Sequence, residues 1–301
     1  MQKKVIIILG QTATGKSDLA VYLAKNLKNK GLAVSEVESE IISADSRQVY
    51  KGLDIGTGKI IPKEMQNIPH HLLDVISHKK RFTIVDYQKL ANRKIKEIIS
   101  RNKIPIICGG TGFYIDAITK GLIFPNVKAN KKLRKQLNKK SPEQLFEMLK
   151  RLDKKRALVI KNKNELNNKV RLIRAIEIAK SLGKVPALVK TKSLYSFIKI
   201  GLYLPPEILK KKVTKRVQKM FQAGLLKEIK KLKKAGLSDA RLKEFGFEYY
   251  QPTEEKVISE TLKYAKRQMT YFKRDTEIIW LEANKNLNKK TKDLIAIFLK
   301  K

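Results

Sequence analysis

Eight residues near the start of the chain, Gly10-Gln11-Thr12-Ala13-Thr14-Gly15-Lys16-Ser17, fit G-x-x-x-x-G-K-[ST] at every fixed position and directly follow the apolar run Val5 to Leu9. A strand that ends in such a turn and restarts as a helix constrains the fold more than any other segment. The glycines let successive backbone N–H groups turn inward around phosphate oxygens, Lys16 adds a point charge, and the Ser17 hydroxyl can ligate Mg2+. Leu19, Leu23 and Leu27 give the following segment an amphipathic helical period. That helix points its positive end at the anion. The segment therefore predicts a site for a diphosphate or triphosphate.

Two further apolar runs end in polar or glycine turns: Glu40 to Ala44 runs into Asp45-Ser46, and Ile104 to Cys108 into Gly109-Gly110-Thr111-Gly112. Such runs read as buried parallel strands. Helical patterns lie between them, notably Ile84 to Ser100. The alternation predicts an α/β fold with a doubly wound parallel sheet flanked by helices. Ligands of these sheets bind beyond the carboxyl ends of the strands. Asp45, Thr111 and the phosphate loop should therefore share one crevice.

After Pro125 the texture becomes Lys-rich and helical, with few strand signals. Ser141-Pro142-Glu143 reads as a helix start with Pro at its first position. This predicts an inserted all-helical domain over 126–186, within a core formed by 1–125 and 187–301. One long amphipathic helix is expected after Pro205-Pro206, carrying Leu209, Val213, Val217, Met220, Phe221, Leu225, Ile229 and Leu232 on one face and stopped by Gly236. A last helix over about 255–274 precedes the apolar run Ile278 to Leu281, and the tail from Asn284 is Lys- and Asn-rich.

Charge narrows the partner. The chain carries 67 Lys+Arg against 28 Asp+Glu, a formal net charge of +39. Residues 1–125 hold 20 basic and 11 acidic side chains, and residues 126–301 hold 47 and 17. The excess in the second part predicts a polyanion, with nucleic acid gripped through its phosphates. No long uncharged apolar stretch or N-terminal signal argues for a membrane. The single cysteine, Cys108, excludes an intramolecular disulfide and a Cys-based zinc site, and fits a cytoplasmic protein. His70-His71 with His78 are expected to order a loop through hydrogen bonds. Phe245, Phe247, Tyr249 and Tyr250 are expected to serve core packing more than base stacking.

Taken alone, the loop and the Asp45 strand permit a P-loop ATPase or small-molecule kinase, with Asp45 as an acidic Mg2+ partner, or a non-catalytic basic RNA-binding protein. Further motifs carry a resemblance. Ile42-Ser43-Ala44-Asp45-Ser46-Arg47-Gln48-Val49-Tyr50 leads into Leu53-Asp54-Ile55-Gly56-Thr57-Gly58-Lys59, then Ile68-Pro69-His70-His71-Leu72-Leu73-Asp74, then Gly109-Gly110-Thr111-Gly112-Phe113-Tyr114. Arg171-Leu172-Ile173-Arg174-Ala175-Ile176-Glu177, Arg216 with Met220, Gly224 and Leu225, and Tyr264-Ala265-Lys266-Arg267-Gln268 follow in order. Over nearly the whole chain this resembles the tRNA dimethylallyltransferases of bacterial type. Three positions depart from the family pattern: Gln11 stands for the usual Pro, Phe247 for Tyr after Gly246, and Tyr271 for Trp.

The resemblance implies transfer of a dimethylallyl group from dimethylallyl diphosphate to N6 of adenosine 37, in tRNAs reading codons that begin with U. It implies Mg2+ as cofactor, the tRNA anticodon stem-loop as partner, and a monomer. It assigns Asp45 as the base, with Thr14 and Lys16 also catalytic, and the loop Gly10 to Ser17 with Arg216 as the diphosphate site. Asp45, Ser46, Arg47, Gln48 and Thr111 would meet the reacting nucleotide. Arg134, Arg171 and Arg174 would contact the anticodon arm.

Overall fold

The computed structural model describes residues 2–27, 38–191 and 193–300. The chain divides into two compact units, Met1–Gly121 with Lys192–Lys301, and Leu122–Thr191. The strands of the first unit are β1 (Lys3–Gly10), β2 (Ser39–Ser43), β3 (Tyr50–Lys51), β4 (His70–His71), β5 (Ile76–Ser77) and β6 (Ile104–Cys108). After β7 (Leu122–Ile123) and β8 (Val189–Lys190) of the second unit come β9 (Tyr195–Tyr203) and β10 (Ile278–Glu282) of the first. Six of these form one parallel sheet in the order β10-β9-β1-β6-β2-β4.

The apolar runs are continuous because both faces of this sheet are covered. Ile6 and Ile8 pack on one side with Leu19, Leu23 and Ile295. Val5, Ile7 and Leu9 point to the other, against Tyr87, Ile95 and Ile115. This is the two-residue period of a strand serving two helical layers at once. The layers are α1 (Lys16–Asn26) and α13 (Leu287–Lys300) on the first face, and α3 (Ile84–Ser100) and α4 (Gly112–Thr119) on the second, with the short α2 (Pro62–Met65) in a connection. The start of α3 is fixed by a capping box: Asp86 N–H donates to Thr83 Oγ1 at 3.2 Å, and Thr83 N–H to Asp86 Oδ2 at 2.8 Å.

The second unit holds α5 (Lys131–Asn138), α6 (Pro142–Leu152), α7 (Lys154–Asn162) and α8 (Lys169–Leu182) around Leu145, Leu149, Ile160, Leu172 and Ile176. Ser141 caps α6 with Pro142 at its first position. The expected insertion, 126–186, falls inside this unit, but the unit is not purely helical. Its ends, Leu122–Ile123 and Val189–Lys190, pair as an antiparallel ladder.

One other element differs from expectation, and β9 and the helix of the tail were not anticipated. The long helix after Pro205 is two, α9 (Pro206–Gln222) and α10 (Leu225–Lys234). Gly224 between them has φ of 98°, a left-handed conformation that ends one helix and opens the next. The strand β9 lies between the edge strand β10 and β1, and Lys199 interrupts its apolar pattern; this 5 % exposed ammonium is neutralised by Asp275 at 2.8 Å and Glu277 at 2.6 Å. The tail forms α13, whose Leu287, Thr291 and Ile295 are buried. After α10 the chain continues through α11 (Asp239–Phe245) and α12 (Glu254–Phe272). Among the described residues no helix is long and apolar enough to cross a membrane.

Candidate active site

Strand register assembles the site. Ile8 of β1 and Ser43 of β2 both pair with Cys108 of β6, so the segments leaving the three strands lie side by side. Ala44 N–H donates to Cys108 O at 2.7 Å, Gly109 N–H to Ile8 O at 3.1 Å and Thr111 N–H to Ala44 O at 3.1 Å. A Cβ on Gly109 would come within 2.3 Å of Ala44 O, which is why glycine stands there.

Two glutamines hold the phosphate loop, one within it and one on α12. Gln11 N–H donates to Leu202 O at 3.3 Å, and its Oε1 accepts from Leu204 N–H at 3.2 Å. The Gln11 that replaces the family's Pro thus anchors the loop to the end of β9. Gln268, on α12, accepts from Thr12 N–H at 2.8 Å and donates to Gly110 O at 2.9 Å. It ties the phosphate loop to the turn that carries Thr111, and there is no room for a Cβ at Gly110, which would sit 2.2 Å from Gln268 Nε2.

Inside the loop, Thr14 Oγ1 donates to Gln11 O at 2.8 Å and Lys16 Nζ to the same oxygen at 2.6 Å. Ala13 at φ of 61° and Gly15 at φ of 82° bend the backbone between them. Burial pushes the Lys16 ammonium down to about 8; Cys108 and Asp45 pull it back up and Arg216 adds to the push. Burial drives the Cys108 thiol up to about 12, so it is a neutral wall residue beside Lys16 and Ser17.

Asp45 folds its turn about itself. Its Oδ1 accepts from Arg47 N–H at 2.8 Å and Gln48 N–H at 3.3 Å, an Asx turn that leaves Oδ2 without a hydrogen bond among the described residues. Thr111 precedes α4 but does not cap it; its hydroxyl accepts from Ser46 N–H at 3.0 Å and lies 3.4 Å from Ser46 Oγ. Gln48 Nε2 donates to Thr57 O and Gly58 O, and Arg47 donates to Glu244 O. Arg216, on α9, donates to Thr57 O at 3.3 Å. Burial lowers its pKa, opposed by Asp45 and Glu248.

Three site groups escaped sequence reasoning. Glu248 is held up at about 7 by burial, with Asp45 adding to the rise and Arg47 and Arg216 opposing it. Tyr264 is raised to about 12 by burial, and Asp45, Arg47 and Glu248 all act on it. Gln268 lies four residues after Tyr264, on the same helix face, and that spacing inside the quoted motif was the available signal. Nothing local marked Glu248.

The histidines hydrogen-bond as expected, His70 and His71 from the edge strand β4 and His78 from just after β5. His71 Nε2 lies 2.7 Å from Glu40 Oε2, His70 Nδ1 2.8 Å from Ile68 O, and His78 Nδ1 2.9 Å from Lys51 O. Among the described residues no group of three or more His, Cys, Asp or Glu could hold a metal. Tyr271, the Tyr-for-Trp departure, donates its hydroxyl to Asp116 Oδ2 of α4 at 2.7 Å.

In the second unit the three expected arginines are engaged with carboxylates. Arg134 donates through Nε and NH2 to Glu177 at 2.9 and 2.7 Å, and Arg174 reaches the same carboxylate at 2.6 Å and Val127 O at 2.9 Å. Burial pushes Glu177 up, but the bonds from Arg134, Arg174 and Asn130 N–H outweigh it and hold the carboxyl at about 2. Arg171 pairs separately with Glu165.

A parallel sheet with a G-x-x-x-x-G-K-S loop at its carboxyl edge, faced by Asp45 and Arg216, defines a phosphate-binding α/β protein of the P-loop type. The sequence profile of the IPP transferase family matches residues 48–275. A tRNA dimethylallyltransferase of Anoxybacillus flavithermus is 36% identical over 297 residues, covering 94% of this chain and 91% of its own. That of Bacillus subtilis is 34% identical over 300 residues, covering 93% and 91%. The crystal structure of the full-length tRNA isopentenylpyrophosphate transferase from Bacillus halodurans matches with a TM-score of 0.68 and 31% identity, over 99% of this chain and 96% of that one. A eukaryotic dimethylallyltransferase acting on tRNA matches with a TM-score of 0.76 and 25% identity, over 97% and 78%. The chain belongs to the IPP transferase family.

Proposed function

We propose that this protein transfers the dimethylallyl group of dimethylallyl diphosphate to N6 of adenosine 37 in the anticodon stem-loop of tRNA, releasing diphosphate. The observation that carries the reading is that Lys16, Asp45 and Arg216 lie close enough to act on one another's charge, in a chain of this family. The exocyclic amine of adenine is a weak nucleophile, since its lone pair is delocalised into the ring. As the N6–C1 bond forms and the C1–O bond breaks, one amine proton must leave, and in this reading Asp45 Oδ2 takes it. The Asx turn keeps Oδ1 occupied and directs that role to the other oxygen.

The departing diphosphate is stabilised by the loop amides, Lys16 and Arg216. Both cations lean on backbone carbonyls, Gln11 O and Thr57 O, and are therefore available to an incoming anion. Thr111 and Ser46, bonded to each other, and Gln48 line the side where the extruded base would enter.

The donor set fits Mg2+. The chain offers the exposed Ser17 hydroxyl and the Asp45 carboxylate, and no all-protein cage is found among the described residues. Mg2+ commonly keeps several waters and binds through few protein oxygens plus substrate phosphates. When bound it would neutralise charge developing on the diphosphate.

The test is transfer of radiolabel from dimethylallyl diphosphate, with Mg2+, to an unmodified anticodon stem-loop, beside a parallel ATP-hydrolysis assay. Label in the RNA that is lost when adenosine 37 is replaced by guanosine is the expected result. ATP turnover without label would move the chain to the ATPase or kinase class.

A further inference from the structure

One carboxylate outside the crevice is saturated by the loop that borders it. Glu228, on α10, accepts through Oε2 from Asp54 N–H at 3.1 Å and Ile55 N–H at 2.8 Å. Through Oε1 it accepts from Gly56 N–H at 3.2 Å and Tyr249 Oη–H at 2.8 Å. Three successive backbone amides turned toward one point make an anion-binding concavity, and here it is filled by the protein's own side chain. Tyr249 is 1% exposed. Its ring leaves no space at Gly56, where a Cβ would lie 2.6 Å from Cζ.

The same loop continues directly into the site. Thr57 O accepts from Arg216 at 3.3 Å and from Gln48 at 3.4 Å, and Gly58 O accepts from Gln48 at 3.3 Å. Gly58 has φ of 56°, and a Cβ there would lie 2.1 Å from Arg216 NH2, so the guanidinium packs flush against the loop. From its other end Lys59 closes back on it: Lys59 Nζ donates to Asp54 Oδ1 and Asp74 Oδ1, each at 2.6 Å, and to Tyr50 O at 3.0 Å. The stretch also closes on itself, with Thr57 Oγ1 donating to Leu53 O at 2.7 Å and Gly58 N–H to Ile55 O at 2.9 Å, and the Glu228–Tyr249 anchor ties this turn to α10 just before the two carbonyls that face Arg216 and Gln48.

We propose that Glu228, oriented by Tyr249, is a positioning residue that fixes loop 54–58 and through it the guanidinium of Arg216 for the diphosphate. This rests on the reading of Arg216 as a diphosphate contact. An amide at position 228 keeps the shape but turns one acceptor into a donor facing backbone N–H groups, so the loop is released at that point. Losing the Tyr249 hydroxyl leaves all three amides satisfied and frees the carboxylate to swing, a milder lesion.

The experiment uses the full chain with dimethylallyl diphosphate and the stem-loop, comparing Glu228→Gln, Tyr249→Phe, Arg216→Gln and the double variant Tyr249→Phe/Arg216→Gln. Glu228→Gln should raise KM for the diphosphate about 10-fold and Tyr249→Phe about 3-fold, with KM for RNA unchanged. The double variant should lose no more than Arg216→Gln alone, because residues acting through one group are not additive. Equal rises in both KM values, or additive losses in the cycle, would make the anchor structural only and overturn the proposal. Should Glu228→Gln fail to fold, Tyr249→Phe and its cycle decide alone. An Arg216→Gln variant with undiminished diphosphate affinity would instead remove the reading beneath, and the proposal with it.

Discussion

The positive charges of the two units are held in opposite ways. Around the phosphate loop Lys16 and Arg216 are half-buried against backbone carbonyls, and desolvation lowers the pKa of both. In the second unit Arg134 and Arg174 close on Glu177, whose carboxyl is driven to about 2. A buried cation without a full counter-charge is costly until an anion arrives. A cation already matched by a buried carboxylate is part of the core. By this contrast the crevice is built to receive a ligand, while the Arg134–Glu177–Arg174 cluster first holds α5 to α8.

The sharpest way to break the comparison is to remove one charge from each region. Lys16→Ala should lower kcat by about 100-fold or more, the scale for losing one preorganised electrostatic contact. Asp45→Asn should cost about 100- to 10,000-fold with RNA binding largely retained. Arg174→Ala should leave kcat near that of the unaltered protein when RNA is saturating. Single-turnover transfer at saturating RNA reads all three. A loss in Arg174→Ala as large as that in Lys16→Ala would erase the distinction.

A smaller effect, read as stability, separates the regions from the other side. Glu177→Gln leaves two arginines facing a neutral amide and should destabilise by about 3 kcal/mol, measured by denaturant unfolding. The sign with pH follows from the depressed pKa. A carboxyl with an ordinary value of 4.5 that is held at about 2 when folded contributes its stability above pH 4.5 and loses it as pH falls toward 2. Acid titration of unfolding should therefore be shallower in Glu177→Gln. Identical acid profiles would mean that Glu177 is not the keystone of the cluster.

These differences also show what a one-dimensional reading can reach. The phosphate loop, its strand and the turns at Asp45 and Thr111 were legible because each is a contiguous apolar run ending in a chemical signature. The capping residues Ser141 and Pro142 and the limits of α3 were legible for the same reason. β9 was not, since Lys199 looks like a surface residue until Asp275 and Glu277, far along the chain, neutralise it. Gly224 breaks an amphipathic period that Leu225, Ile229 and Leu232 carry across it, so period alone joined α9 to α10. The three arginines matched a motif, but which carboxylate each would meet depends on tertiary pairing. Glu248 and Glu228 gave no local sign, because the groups that decide their setting, Asp45, Arg47 and Arg216 for one and Asp54, Ile55, Gly56 and Tyr249 for the other, lie far along the chain.

The smallest expected effect is the finest test of the crevice. Glu248 is faced by Arg47 and Asp45 from the turn after β2, by Arg216 from α9, by Tyr264 from α12 and by its neighbour Tyr249. With a folded value of about 7 against an ordinary 4.5, the native site binds its proton more tightly than the unfolded chain. Its stabilising contribution is complete below pH 4.5 and is lost as pH rises through about 7. Over the same range the new carboxylate competes with diphosphate for Arg216. KM for dimethylallyl diphosphate should rise a few-fold, on the order of 3-fold, between pH 6 and 7.5, and Glu248→Gln should flatten that limb. A second rise near pH 8 should survive in the variant, since there Lys16 loses its proton. Steady-state KM across pH separates the two limbs: a variant that keeps both would leave the lower one to another group, and one that loses both would mean that Glu248 and Lys16 titrate as a pair.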